Sequence, residues 1–197
     1  MSSKVEIGNL ALSHCGSKAR IGSFSEQTTE AHHINLHYDP AVRVILEQRD
    51  WGFAEAVATL ALTTDTAPGD LLYTYALPNN CLTPLWLNHE LGVVDPPEYR
   101  IGSNGTQRVI YTNEEEAELV YTKAIEGDPT QYTQSFVEAV AVALAVRICL
   151  PLTGDRALRA ELQKAATATL SNAGAQNANS EPNLETSPEC DWLEARR

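Results

Sequence analysis

The segment DPTQYTQSFVEAVAVALAVRICLPL constrains this chain more than any other. Asp128 suits an N-cap and Pro129 the first helical position, and the residues beyond them are apolar nearly all round. A helix with no polar face must be surrounded, so this one is expected to be the central, most buried element. Its uncharged run between Glu138 and Arg147 is too short to span a bilayer, and Pro151 ends it. No transmembrane segment is expected.

Helical patterns on either side supply the surround. In VEIGNLALSHCG the apolar positions Ile7, Leu10, Ala11 and Cys15 recur at helical spacing, and Gly16 supplies a stop. Residues 23–26 (SFSE) read as a capping box for a second helix. Along that helix Ala31, Ile34, Tyr38, Val42 and Ile45 form one apolar stripe reaching toward Trp51. Asp39-Pro40 interrupts the stripe, which predicts a kink or two abutting helices. Late in the chain, Asp155 caps a last helix with Leu158, Leu162, Ala165, Thr169 and Leu170 on one face. From Ala175 the composition turns to Asn, Ala, Ser, Pro and Glu, that of a tail.

Between the second and third main helices the period changes. LLYTYALP alternates, LWLNHEL and EYRIGSNGTQRVIYT continue the alternation, and AELVYTKAI closes it. Asn104-Gly105 suits a hairpin turn that needs positive φ. Four or five short strands are expected, broken apart by Pro78, Pro84, Pro96 and Pro97 and leaning on the helices. The predicted fold is α+β, mainly α: a four-helix-type bundle with a small antiparallel β module inserted in it, plus an extended C-terminal arm. The bundle takes residues 1–56 and 127–174, the β insertion 57–126 and the arm 175–197.

Trp51 and Phe53, in QRDWGFAEAVATL, fall where the helical pattern gives way to the alternating one. Nothing polar and convergent accompanies them in sequence, so they are expected to pack helices against sheet and not to line a ligand pocket.

Few residues suggest chemistry. His33 and His37 in HHINLH share a helix face and could hold a metal, but no Glu follows the first His and a third ligand would have to come from afar. Glu114, Glu115, Glu116 and Glu118 cluster in NEEEAE, without the separated pair of environments that glycosidase carboxylates need. There is no nucleophile elbow, phosphate-cradling glycine loop or dinucleotide fingerprint. No catalytic residue, cofactor or metal is predicted. Cys15, Cys81, Cys149 and Cys190 are far apart without metal-type spacing, and a reducing cytoplasm is the expected place of synthesis. With 26 acidic against 14 basic side chains, a net charge of −12 supplies no excess of cations to displace counterions from phosphates. Direct nucleic-acid binding and attraction to an anionic membrane are not expected.

Several stretches taken together resemble a known family. ALSHCGSKARIGSFSE leads into YDPAVRVILEQRDWGFAEAVATLAL, then come YTYALPNNCL and the late pair SFVEAVAVALAVRICLPLTGD and LRAELQKAATATLSNA. This layout resembles the tail tubular protein A, or head-to-tail adaptor, family of short-tailed bacteriophages, and more distantly the connectors of other tailed phages. Its most specific pieces are Trp51 with Phe53 and Ala54, and the run Tyr75-Ala76-Leu77-Pro78. The resemblance implies a structural virion protein at the head-tail interface, made in the host cytoplasm. It implies a homo-oligomeric, dodecameric ring between portal protein and tail nozzle protein, through which double-stranded DNA passes without specific binding. The closing EPNLETSPECDWLEARR departs from the family pattern. Its Trp192 and Leu193 make it an arm that could dock onto the portal or a neighbouring subunit. Two rival functions are a carboxylate-based hydrolase of cell-envelope glycan using the residue 114–118 acids, and a bundle binding a small ligand or metal through His33 and His37.

Overall fold

The computed structural model describes residues 3–88 and 97–180, and within them four α-helices frame seven short antiparallel strands. Helix α1 (Lys4–His14) opens on a reciprocal cap of the Ser-x-x-Glu pattern, the capping box expected at residues 23–26 instead. Ser3 Oγ accepts from the Glu6 amide at 3.1 Å and the Glu6 carboxylate accepts from the Ser3 amide at 2.7 Å. Ile7, Ala11, Leu12 and Cys15 are buried, whereas Leu10, expected on that face, is 36% exposed. Gly16 then takes φ of +70°, which a glycine adopts without strain.

Helix α2 (Thr29–Glu47) runs without a break through Pro40. The proline withdraws one amide donor, yet Ala31, Ile34, Tyr38, Val42 and Ile45 are all buried, and this packing outweighs the lost bond. Residues 23–26 form a local turn and not the helix start: the Glu26 carboxylate accepts from the Gly22 and Ser23 amides at 2.6 and 2.9 Å. The start is Thr28, whose Oγ1 accepts from the Ala31 amide at 3.2 Å.

Helix α3 (Gln134–Thr153) is the hub. Ten of its residues are buried, and α1, α2 and α4 all pack on it. By length and composition α3 is apolar enough to cross a membrane, but three packed helices give it the surroundings of a core helix. It begins on Thr133, not on Asp128; Asp128 instead caps a separate 3-10 turn, Pro129–Gln131. Helix α4 (Arg156–Ser180) is capped as expected, with Asp155 Oδ1 accepting from the Ala157 and Leu158 amides at 2.8 and 3.0 Å. It buries Leu162 and Ala173, while Ala165 lies exposed. The helix continues six residues past Gly174, so the tail does not begin at Ala175. The rest of the arm, with Trp192 and Leu193, lies outside the described residues.

The strands are β1 (Glu55–Thr59), β2 (Ala61–Leu62), β3 (Tyr73–Ala76), β4 (Cys81–Leu87), β5 (Tyr99–Ser103), β6 (Arg108–Thr112) and β7 (Glu118–Lys123). They form two sheets, ordered β1-β7-β4 and β2-β3-β6-β5, and the chain passes from one to the other at the buried Leu60. Tyr75 and Ile110 of one sheet meet Leu87, Leu119 and Tyr121 of the other in a second core. The insertion therefore has an interior of its own, where one sheet leaning on the helices was expected. Pro84 does not end a strand. It sits within β4, at an edge of its sheet and beside a register shift, where no ladder amide is needed. The β5–β6 hairpin turns as expected: Gly105 has φ of +89°, and Asn104 Oδ1 accepts from the Thr106 and Gln107 amides.

Candidate functional site at the helix–sheet junction

The chain crosses between the helical core and the β module twice, and both crossings end on one side chain. Phe136, in the first turn of α3, is fully buried. Trp51 and Phe53, from the outgoing crossing, meet it edge-on with ring centroids 4.9 and 5.0 Å away. Tyr132, from the returning crossing, meets it at 4.8 Å. These T-shaped contacts set ring edges against ring faces, the favourable quadrupole arrangement. Trp51 and Phe53 are 5.8 Å apart, Phe53 and Tyr132 6.1 Å.

The polar atoms of this cluster are bonded to the backbone. Trp51 Nε1 donates to the Ile45 carbonyl at 2.9 Å, fastening the indole to the last turn of α2. Tyr132 Oη donates to the Ile125 carbonyl at 2.8 Å, fastening the return to the end of β7. Burial pushes the Tyr132 phenol well above its ordinary pKa, so it stays a neutral donor. A further tie joins α2 to the same return: Arg43 donates to the buried Glu126 carboxylate, and that bond holds the guanidinium above its usual pKa.

Helix α4 clasps the junction from outside. Asn177 Nδ2 donates to the Asp50 carbonyl at 2.9 Å, and its Oδ1 accepts from the Gly52 amide at 3.3 Å. One side-chain amide thus brackets Trp51 on both sides. Gly174 leaves the space that the Arg49 guanidinium occupies; a Cβ there would lie 2.3 Å from Arg49 Nε. Phe136, Tyr132 and Asn177 do not stand out in the sequence. In α3 no polar face distinguishes one apolar position from another, and Asn177 sits in a stretch whose composition reads as tail.

Trp51 is closed off, but Phe53 is half-buried. Its outer flank borders an open cleft of about 390 Å³ lined by Gly52, Thr133, Gln134, Ser135, Gln176 and Asn177. Phe53 therefore borders a cleft where only packing was expected, and both aromatics pack in the helical core. The cleft's polar groups are neutral amides and hydroxyls. Among the described residues it is lined by no acid, base or thiol that could act as nucleophile or proton carrier.

The other candidate residues fall elsewhere. Tyr75 lies in the β core and its hydroxyl donates to the carbonyls of Glu114 and Glu115, pinning the acidic loop between β6 and β7. Asn88 holds the same loop: its Nδ2 donates to the Glu116 carbonyl at 2.8 Å, and its Oδ1 accepts from the Glu118 amide at 2.6 Å. Glu115 and Glu116 on this braced loop, and Glu118 at the start of β7, are solvent-exposed. Pro78 opens the turn that carries the chain from β3 to β4, its carbonyl accepting from the Cys81 amide at 2.9 Å. His33 and His37 stack in parallel on α2 with centroids 6.5 Å apart. Burial, then the charge of Arg147, then His33 lower the pKa of His37, an environment that also disfavours a bound cation. Among the described residues no three His, Cys, Asp or Glu side chains group as metal ligands. Cys15 donates to the Ala145 carbonyl at 3.6 Å, and burial first, then neighbouring Cys149, push its thiol up to about 12. It behaves as a small core residue.

The junction is thus a wall-like joint with one shallow polar flank. Compared with known proteins, the chain matches no family model and no curated protein.

Proposed function

We propose that the chain is a ring-forming head-to-tail adaptor, a structural virion protein linking a portal to a tail nozzle and lining part of the DNA ejection channel. In this reading α1–α4 make a four-helix-type bundle in the ring wall, the β module faces neighbours or the nozzle, and residues 181–197 form an arm. The observation that carries it is the junction itself. Four aromatics of the helical core, Trp51, Phe53, Tyr132 and Phe136, draw both chain crossings into that core, with both polar ring atoms spent on backbone carbonyls. Such a joint fixes where the β module leaves and rejoins the helices, as a rigid structural part requires. Large exposed apolar side chains on the β module, Val57, Leu62, Leu72 and Ile101, support contact with other subunits there. The net charge of −12 supports a wall along which DNA slides without being gripped. Closure of a ring needs a heterologous interface, on the order of 1,000 Å² or more per contact. Sedimentation of the chain with purified portal rings tests the reading: many copies should travel with each portal, and a chain that stays behind as free protein would sink it.

The cleft beside Phe53 favours a second reading, a bundle that binds a small neutral ligand. Thermal-shift screening against uncharged sugars and polyols tests it. Stabilisation abolished by Phe53→Ala would favour this reading over the ring.

A further inference from the structure

An apolar groove of about 420 Å³ runs between α2, α3 and α4, well away from the aromatic junction. Val44 and Gln48 of α2, Val146 and Arg147 of α3, and Gln163 and Leu170 of α4 line it. Among the described residues, Arg147 is the only charged side chain in that lining. Among the described residues no carboxylate lies within ion-pair distance of it, and burial without a counter-charge lowers its pKa. A partly desolvated guanidinium in a greasy groove is matched by an occupant with an acidic group beside large apolar side chains.

The chain carries such a segment. Residues 191–194 read Asp-Trp-Leu-Glu, within a stretch after Ser180 that holds five carboxylates against two arginines. The reach is sufficient. Ala166, midway along the groove, is fourteen residues before Ser180 on α4, roughly 21 Å at ~1.5 Å per helical residue. The eleven residues from Ser180 to Asp191 extend to about 36 Å. A tether of that length sets a local concentration on the order of millimolar, which favours the chain's own segment over a second copy's.

We propose that the groove between α2, α3 and α4 seats the chain's own C-terminal segment, with Trp192 and Leu193 on its apolar floor and a carboxylate of residues 191–194 on Arg147. The seat does not depend on the adaptor reading, because it would form in a single chain.

Cys190 gives a direct test in the full-length protein, since Cys15, Cys81 and Cys149 are buried. Gln163→Cys places a thiol on the groove rim, and Thr106→Cys places one on the remote β5–β6 turn. With a diffusible aromatic disulfide as oxidant, the Gln163→Cys chain should close an internal Cys190 disulfide at least tenfold faster than the Thr106→Cys chain. Trp192→Ala should slow closure at least fivefold. Arg147→Glu should do the same, and adding Asp191→Lys with Glu194→Lys should restore the rate. Equal rates at the two positions, or closure indifferent to Trp192→Ala, would overturn the proposal. Covalent dimers in place of internal loops would overturn the assignment to the same chain.

Discussion

Trp51→Ala probes the joint most sharply. The indole is 2% exposed, so almost its whole surface leaves water on folding. A buried aromatic of about 150–250 Å² at roughly 25 cal/mol per Å² contributes about 4–6 kcal/mol. Measured truncations of buried aromatics cost about 3–5 kcal/mol. The lost N–H bond adds little, because the Ile45 carbonyl still accepts from the Gln48 amide at 3.4 Å and is not orphaned. The expected loss is therefore about 4–5 kcal/mol. Trp51→Phe keeps a ring against Phe136 and should cost about 1–2 kcal/mol. Urea unfolding, followed by far-UV circular dichroism and by amide exchange, measures both quantities. Because Trp51 belongs to the helical core and not to the separate β core, Trp51→Ala should also let helical amides unprotect at lower urea than β amides. A loss below about 1 kcal/mol with a single unchanged transition would refute the joint as an anchor of the helical core.

Three further outcomes rest on named contacts. Arg43 is 58% exposed and Glu126 only 10%, so Arg43→Ala strands a buried carboxylate while Glu126→Gln leaves only an exposed cation. The first should cost about 1–3 kcal/mol, with the second clearly cheaper, in paired melts at neutral pH. Asn177→Leu removes the bracket around Trp51 and should cost about 1–2 kcal/mol by urea titration, with exchange quickened at Gly52. The pKa of His37 is lowered in the fold, so below the ordinary histidine range the unfolded chain binds the extra proton first. Stability should fall as pH drops through and below about 6.5, and His37→Gln should flatten that slope in melts across the range.

Legibility in the sequence depended on whether a pattern was periodic. The α2 stripe is repeated at helical spacing over four turns, and all five of its predicted residues are buried despite Pro40. The β5–β6 hairpin was legible because Asn104-Gly105 states its own turn chemistry. Strands β1 and β2 were not, because EAVATLAL is too short and alanine-rich for either period to show. The second core was hidden for a different reason: which sheet face meets which is a tertiary fact, and a period of two gives only the alternation. At the junction, Trp51 was found by its position between two patterns. Phe136 was concealed in an all-apolar helix and Asn177 in a polar one, where only the fold shows which neighbour each meets.

The adaptor reading stands or falls on whether copies of this chain surround a channel. Electron microscopy of the protein mixed with its portal tests that most directly. A closed ring of the chain, coaxial with the portal and open at its centre, is the expected image. Portals left bare, or single copies attached at scattered sites with no ring, would contradict it.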